Sequence, residues 1–458
     1  MLSLFRSTMS LWLVTASLLW LQLRGQAAAA DWRHLLERGW FSLARQAAAT
    51  EAARRTVAET VMAVDQASRQ RTAWIEQADR WRLVWKQPEV AATVSQTDRL
   101  AAWGSRYGLH LVSLAAGRPL WGGGPAGGGP LFPRLRPVMQ TDLPQPGRPG
   151  PVALAAGRLV GLVDRPVAGS SAGPLLAALD LAPAAEGRLV WARELDPNLP
   201  PAAAGLAVTS AACFVAWPDA TAATLELISL AAADGGLQWR RSLPLPAGFD
   251  RQQDGPVLVT CAQHLLVVAL PGGLLVGVAA DTGSECWRTT LPAGDDTAAE
   301  FIIDGLAATA DGLVVLRRQA AGRSGQPEIC RLSLLDGQPA EQFRPLADLQ
   351  AAAEDATVYG LPLVRGGHVI WPTRQPSAEA AARLLICRLP VGPTAAAGAQ
   401  EPPPLGSRFA DIVAGGPTEP AVAEKVASSR RLVVNAGEGL WCLEPTGREP
   451  ATVQSELH

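Results

Sequence analysis

Lysine is almost missing from this chain: Lys86 and Lys425 are the two examples, so arginine supplies nearly all of the 40 basic residues. Against them stand 42 acidic residues, for a net charge of -2. A balance of that kind excludes the basic stripe of a nucleic-acid-binding protein. Asparagine is as scarce as lysine, at Asn198 and Asn435, and the acidic residues are scattered through turns and a helical stretch. A calcium cage built from clustered oxygen ligands is therefore not expected. The six cysteines, Cys213, Cys261, Cys286, Cys330, Cys387 and Cys442, form no CxxC, no adjacent pair and no CxxCH. Zinc-ribbon and haem-attachment chemistry is excluded on that spacing. Most of these cysteines sit in apolar runs as small hydrophobes, with a Cys261–Cys286 disulfide as the alternative. No P-loop or HExxH occurs, no nucleophile elbow is read, and the glycines within 122–130 follow no βαβ pattern.

Long apolar runs are also lacking, with one exception. Arg6 precedes the largely apolar stretch 11–23, Arg24 closes it, and four alanines follow at 27–30. That is the layout of a secretory signal, and the stretch is short of the roughly 20 residues that span a bilayer. Residues 1–30 are thus expected to be a signal peptide or, if uncleaved, a signal anchor. Membrane association would run through 11–23.

What the chain has in excess is tryptophan, 15 residues against 2 tyrosines and 8 phenylalanines. In 31–87 the apolar residues Trp32, Leu35, Leu36, Trp40 and Leu43 recur at helical steps, continued by Val57, Val61 and Val64. Trp74, Trp81 and Trp85 extend the aromatic row, and the spacing predicts helix ending before Pro88. This apolar face is read as packing against the rest of the protein.

From 88 onward, runs of four to seven apolar residues alternate with Gly, Pro and Asp punctuation, which is all-β texture. A Gly-x-x-x-Trp pattern recurs at Gly117/Trp121, Gly187/Trp191, Gly235/Trp239 and Gly283/Trp287. Degenerate copies lie around Gly337, Gly392 and Gly447, where Glu341, Ala396 and Ala451 replace the tryptophan. A period near 50 residues, with hairpin partners such as HLLVVAL/LLVGVAA and RLVVNA/GLWCL inside each unit, is the size of a four-stranded propeller blade. The glycine supplies a positive φ after the turn, and the tryptophan fills the wedge between neighbouring blades.

The phrase 281-DTGSECWR-288, with Ala178-Leu179-Asp180 in an earlier copy, resembles the PQQ-like β-propeller repeat. The resemblance covers roughly 90–455 and implies an all-β propeller of seven four-stranded blades by repeat count, eight being common in the family. It is shared by quinoprotein dehydrogenases and by non-enzymatic members such as the scaffold lipoprotein of the outer-membrane β-barrel assembly machinery. The dehydrogenase branch implies a vicinal cysteine pair and a Glu/Asn/Asp calcium site, neither of which this sequence offers. The resemblance therefore implies the non-enzymatic branch, with no catalytic, cofactor-binding or metal residues and no cofactor.

His34, His110, His264, His368 and His458 lie far apart, and they are read as satisfied strand-end histidines rather than a shared site. The doublets Arg54-Arg55, Arg240-Arg241, Arg317-Arg318 and Arg430-Arg431 read as solvated edge residues. The expected organisation is a signal at 1–30, a helical segment at 31–87 and a propeller at 88–458. The expected role is an exported, periplasmic or cell-envelope module that binds a protein, peptide or small ligand. Its rivals are a PQQ-dependent dehydrogenase and the extracytoplasmic part of a membrane-anchored sensing or assembly complex.

Overall fold

The computed structural model describes residues 31–87, 94–97, 99–105, 108–114, 118–121, 150–163, 173–181, 189–219, 221–246, 257–291, 301–310, 312–319, 327–346, 349, 357–358, 360–374, 382–389, 406–413, 430–436 and 439–446. The expected signal at 1–30, Gly117, Gly187, Gly392, Gly447, Ala396, Ala451 and His458 lie outside them.

Three helices come first: α1 (Trp32–Glu37), α2 (Phe41–Ala47) and α3 (Glu51–Gln77). Thr50 caps α3 by accepting a hydrogen bond from the Ala53 amide at 3.2 Å, and Asp31 caps α1 in the same manner. Ala53, Val57 and Val61 lie one turn apart and pack on Leu35, Phe41 and Ala44 of the two short helices. No helix among the described residues is long and apolar enough to cross a membrane.

The helix does not continue to Pro88. Arg80–Gln87 is a strand, β1, separated from α3 by two residues. Trp81, Leu83 and Trp85 are two apart, the period of a strand, and Trp81 is fully buried against strands from the far end of the chain. The expected helical segment is corrected there.

After β1 the described strands form a succession of up-and-down sheets. Five contain four consecutive strands each. They are β2–β5 (Val94–Gln96, Leu100–Ser105, Gly108–Ser113, Arg118–Trp121), β6–β9 (Val152–Ala155, Arg158–Val163, Leu175–Asp180, Leu189–Glu194) and β10–β13 (Gly205–Val208, Ala212–Asp219, Thr224–Ala231, Leu237–Pro244). Next come β14–β17 (Leu258–Ala262, Leu265–Ala269, Leu274–Ala279, Glu285–Thr290) and β18–β21 (Phe301–Ala308, Leu313–Gln319, Pro327–Leu332, Pro339–Phe343). The remaining strands are β22 (Thr357–Val358), β23 (Leu363–Arg365), β24 (His368–Arg374), β25 (Arg383–Arg388), β26 (Gly406–Val413), β27 (Leu432–Asn435) and β28 (Leu440–Thr446). They join β1 in an eight-stranded sheet ordered β22-β24-β25-β26-β1-β28-β27, with β23 also on β24. The architecture is a β-propeller preceded by helices.

The middle strands read as continuous apolar runs because both faces are covered. Along β11, Cys213, Val215 and Trp217 enter the core shared with β7 and β8, while Phe214 and Ala216 enter the core shared with β15 and β16. Alternation of period two thus deals successive residues to opposite neighbours. Cys261 and Cys286 form no disulfide with each other, and burial pushes both thiols up to about 11.

The chain closes on itself through β1, which pairs antiparallel with β28 from Arg80↔Thr446 to Gln87↔Leu440 and parallel with β26. Glu444 holds Arg82 at 2.8 Å and Arg431 at 2.9 Å, and Arg431 reaches the Leu114 carbonyl at 2.8 Å. The last sheet is fastened to both the N-terminal strand and the first sheet.

Candidate functional site: turns, helical strap and channel

Three of the motif tryptophans engage the following sheet. Trp191, Trp239 and Trp287 donate their Nε1–H to the carbonyls of Ala232, Ala280 and Leu334, each at 3.0 Å. The acceptor lies three residues before the glycine of the next repeat. Gly235, Gly283 and Gly337 have φ of +72°, +70° and +70°, and a Cβ on any of them would fall within 2.8 Å of the preceding tryptophan ring. The glycine is therefore required twice, for its backbone and for the ring that covers it.

The residue facing each of these tryptophans is small. Ala178, Ser229 and Gly277 face Trp191, Trp239 and Trp287, and a β-bulge precedes each tryptophan. The bulge persists in β21, where Glu341 holds the tryptophan position and pairs with Arg331 at 2.9 Å. Trp121 occupies the same register at the end of β5, opposite Leu111.

The helices strap across turns of the sheets. The Ser42 amide donates to Gln263 Oε1 at 3.0 Å, Trp40 packs on His264 with centroids 5.7 Å apart, and Ala310 joins the helical core. Further along α3, Thr72 donates to the Gly366 carbonyl at 3.1 Å, Arg69 to that of Leu389, and Glu76 meets the fully buried His368 at 2.8 Å. The described histidines are thus not brought together. His264 and His368 serve this strap at separate turns, His110 stacks on Trp103 at 5.1 Å, and His34 is exposed on α1. Burial pushes His110 and His264 down to about 4, which keeps both neutral. No cluster of three or more metal-ligating side chains exists among the described residues.

One serine-elbow spacing does occur, Gly169-Ser170-Ser171-Ala172-Gly173. It joins β7 to its antiparallel partner β8, whereas a nucleophile elbow turns from strand to helix.

The doublet Arg317-Arg318 is corrected: it is no solvated edge. Arg317 is 1% exposed on β19, beside Phe301 at 4.0 Å, with its Nε 2.9 Å from Glu328. Gln342 and Arg344 donate to the same carboxylate, each at 2.9 Å. Glu226 occupies the equivalent place nine residues before Gly235 and is held by Arg240 at 3.2 Å. The signal for both was an acidic residue inside an apolar strand, as in TLELISL and PEICRL.

Inner strands surround a channel of about 480 Å³. Its wall combines aliphatic residues, from Val94 and Val152 to Val259, Leu306 and Val433, with the polar Ser95, Gln96, Thr260 and Asn435. Asp304 lines it from β18, 5% exposed, and Arg318 Nε lies 2.8 Å from its Oδ2. Burial pushes the carboxyl up from 3.8 to about 6, with Arg318 pulling the other way. The folded value lies above the unfolded one, so between about pH 4 and 6 the folded chain keeps a proton that the unfolded chain has lost. Stability contributed by this group is present at acid pH and falls as pH rises through that window. Asp304→Asn is expected to remove a fall on the order of 2–3 kcal/mol between pH 4 and 7, measured from urea midpoints. An unchanged pH slope would show that the carboxylate is fully hydrated.

A family model described as "Outer membrane protein assembly factor BamB" matches residues 108–329 and 223–383, together more than half of the chain. No curated protein matches the sequence. Among solved structures, similarity extends to BamB from Moraxella catarrhalis at 15% identity and a TM-score of 0.38, covering 78% of this chain and 85% of that one. The Pan2 WD40 domain of Neurospora crassa matches at 11% identity and a TM-score of 0.43, over 81% of this chain and 96% of that one. The computationally designed Ika8 protein matches at 11% and 0.41, over 80% and 99%.

Proposed function

The chain belongs to the family of the outer membrane protein assembly factor BamB, and from that premise we propose that it is a non-catalytic scaffold of the cell envelope. Its partner is a protein or peptide, its cofactor requirement is none, and residues 1–30 carry it out of the cytoplasm, either cleaved or retained as an anchor through 11–23.

The observation that carries this reading is the repeated lock of one sheet on the next turn, by Trp191, Trp239 and Trp287. Such locks hold turns rigidly, and rigid scaffolds presenting loops are suited to recognition. In this reading the tryptophans and glycines of the repeat are structural, Gly117, Trp121 and Gly187 with them. The eight-stranded sheet counts as two blades, β22–β26 and β27-β28-β1, and with the five four-stranded sheets makes seven. The helical segment ends at α3, and the propeller begins at β1 rather than at residue 88.

The test is crosslinking of the tagged full chain in its envelope, followed by identification of stoichiometric partners. Recovery of a β-barrel assembly component, with a mature N-terminus near Ala30 or a retained Met1, is the expected result. No envelope partner, together with a rise in melting temperature on adding PQQ and calcium, would favour the dehydrogenase instead.

A further inference from the structure

The unit that closes the ring, β27-β28-β1, is one strand short of the five four-stranded sheets. The channel is lined by the first strand of each of those five, β2, β6, β10, β14 and β18, and by β23 and β27. In the closing unit β27 is thus the inner strand, β28 follows it, and β1 stands third. One edge of β1 pairs with β28 as far as Gln87. The other edge meets β26 at Arg80↔Asp411, Trp81↔Ile412 and Arg82↔Val413, where β26 ends. Over 83–87 that edge has no ladder partner among the described residues. An open edge of this kind is a template for another strand.

The opening has a definite chemistry. Val413, opposite Arg82 at its start, is 38% exposed. Lys86 stands near its far end, exposed, with Nζ 5.5 Å from the Trp441 ring. Leu83 and Lys86 share one face of the sheet, since their partners Leu443 and Trp441 are two apart on β28. The strand as a whole carries Arg80, Arg82 and Lys86 and no acid.

Those charges select the occupant. Two copies pairing β1 with β1 would set cations against cations, which is destabilising. Lys86, one of two lysines in the chain, therefore guards the edge against its own kind. The chain leaves β28 at Thr446, opposite Arg80, at the end of β1 farthest from the opening.

We propose that the outer edge of β1 over 83–87 docks an acidic, extended segment of a partner protein, which adds the missing fourth strand and sets an acidic side chain beside Lys86. In recognition of this type main-chain hydrogen bonds supply affinity and side chains supply specificity. The proposal rests on the scaffold reading above and gives the partner a chemistry.

The test is fluorescence polarisation and hydrogen–deuterium exchange on the full chain at low salt, with a short acetylated peptide alternating valine and glutamate as the probe. The controls are its lysine counterpart and a glutamate peptide methylated on its backbone nitrogens. The glutamate peptide is expected to bind about tenfold more tightly than the lysine peptide and to slow exchange within 83–87. Backbone methylation is expected to abolish binding, which a purely ionic contact would survive. Lys86→Glu, an exposed change that leaves the core intact, is expected to reverse the preference. Protection of every amide of 83–87 in the free chain would mean that another segment of this chain holds the edge, and protection that grows with protein concentration that a second copy does. Either result, or a preference unchanged in Lys86→Glu, overturns the proposal. The scaffold reading is judged separately by the crosslinking above: an envelope partner recovered equally well with Lys86→Glu would leave that reading standing while the edge fails.

Discussion

A chain beginning at residue 88 is expected not to fold cooperatively, whereas one beginning at Ala78 is expected to retain a cooperative, if lower, thermal transition. The ten residues between carry β1. Without it, β28 and β26 each lose a hydrogen-bonded neighbour and become open edges, which are templates for aggregation. Trp81 is fully buried among Ile370, Ile386, Leu432 and Leu443, and truncating such a side chain costs about 3–5 kcal/mol by itself. Seven paired positions on β28 and the Arg82–Glu444 contact go with it. The sum meets or exceeds the roughly 5–15 kcal/mol that keeps a domain folded. Calorimetric scans of the two truncations decide it. A sharp transition in the 88–458 chain would mean that the ring closes without β1.

The second large effect is expected at Trp287. Trp287→Ala should destabilise the protein by about 3–5 kcal/mol, from the cavity together with the Leu334 carbonyl left unpaired. Gly337→Ala should also destabilise, by about 1–3 kcal/mol, because φ is +70° and the added Cβ lies 2.4 Å from the Trp287 ring. The two sites are in contact, so their effects should not add. With the ring gone, the steric part of the glycine requirement disappears and only the φ strain remains. Urea denaturation of the two single variants and the double variant gives the coupling. Strict additivity would show that ring and glycine do not share a contact in solution.

Much of this was legible because it is local. The hairpin pairs read in the sequence, such as HLLVVAL/LLVGVAA and RLVVNA/GLWCL, are the observed β15/β16 and β27/β28. Alternation of period two and turn glycines act within a few residues of themselves, so a linear reading detects them. The acceptor of each tryptophan was less accessible, since Ala232, Ala280 and Leu334 are backbone carbonyls that any residue type can supply. At 80–87 the aromatic spacing from Trp74 to Trp81 and Trp85 fits a helix, whereas Trp81, Leu83 and Trp85 at steps of two fit the strand that forms.

The channel carboxylate was hidden for a different reason. In FIIDGLAA, Asp304 looks like an interruption, and neither its β-bulge nor the 2.8 Å contact with Arg318 can be read from one strand. Likewise Arg317 and Glu328 lie eleven residues apart and meet because β19 and β20 pair in one register.

The amino-acid sequence by itself determined the repeat, its strands and the tryptophan that follows each turn, because those depend on propensity, alternation and short-range sterics. Closure of the last sheet by a strand from the start of the chain was decided by the tertiary structure, as were the strap of helices on separate turns and the pairing of Asp304 with Arg318 beside the channel. Each of these requires segments well apart in the sequence, some by hundreds of residues, to meet. Their free energy comes from burial and pairing that exist only once the sheets have been arranged around a common axis.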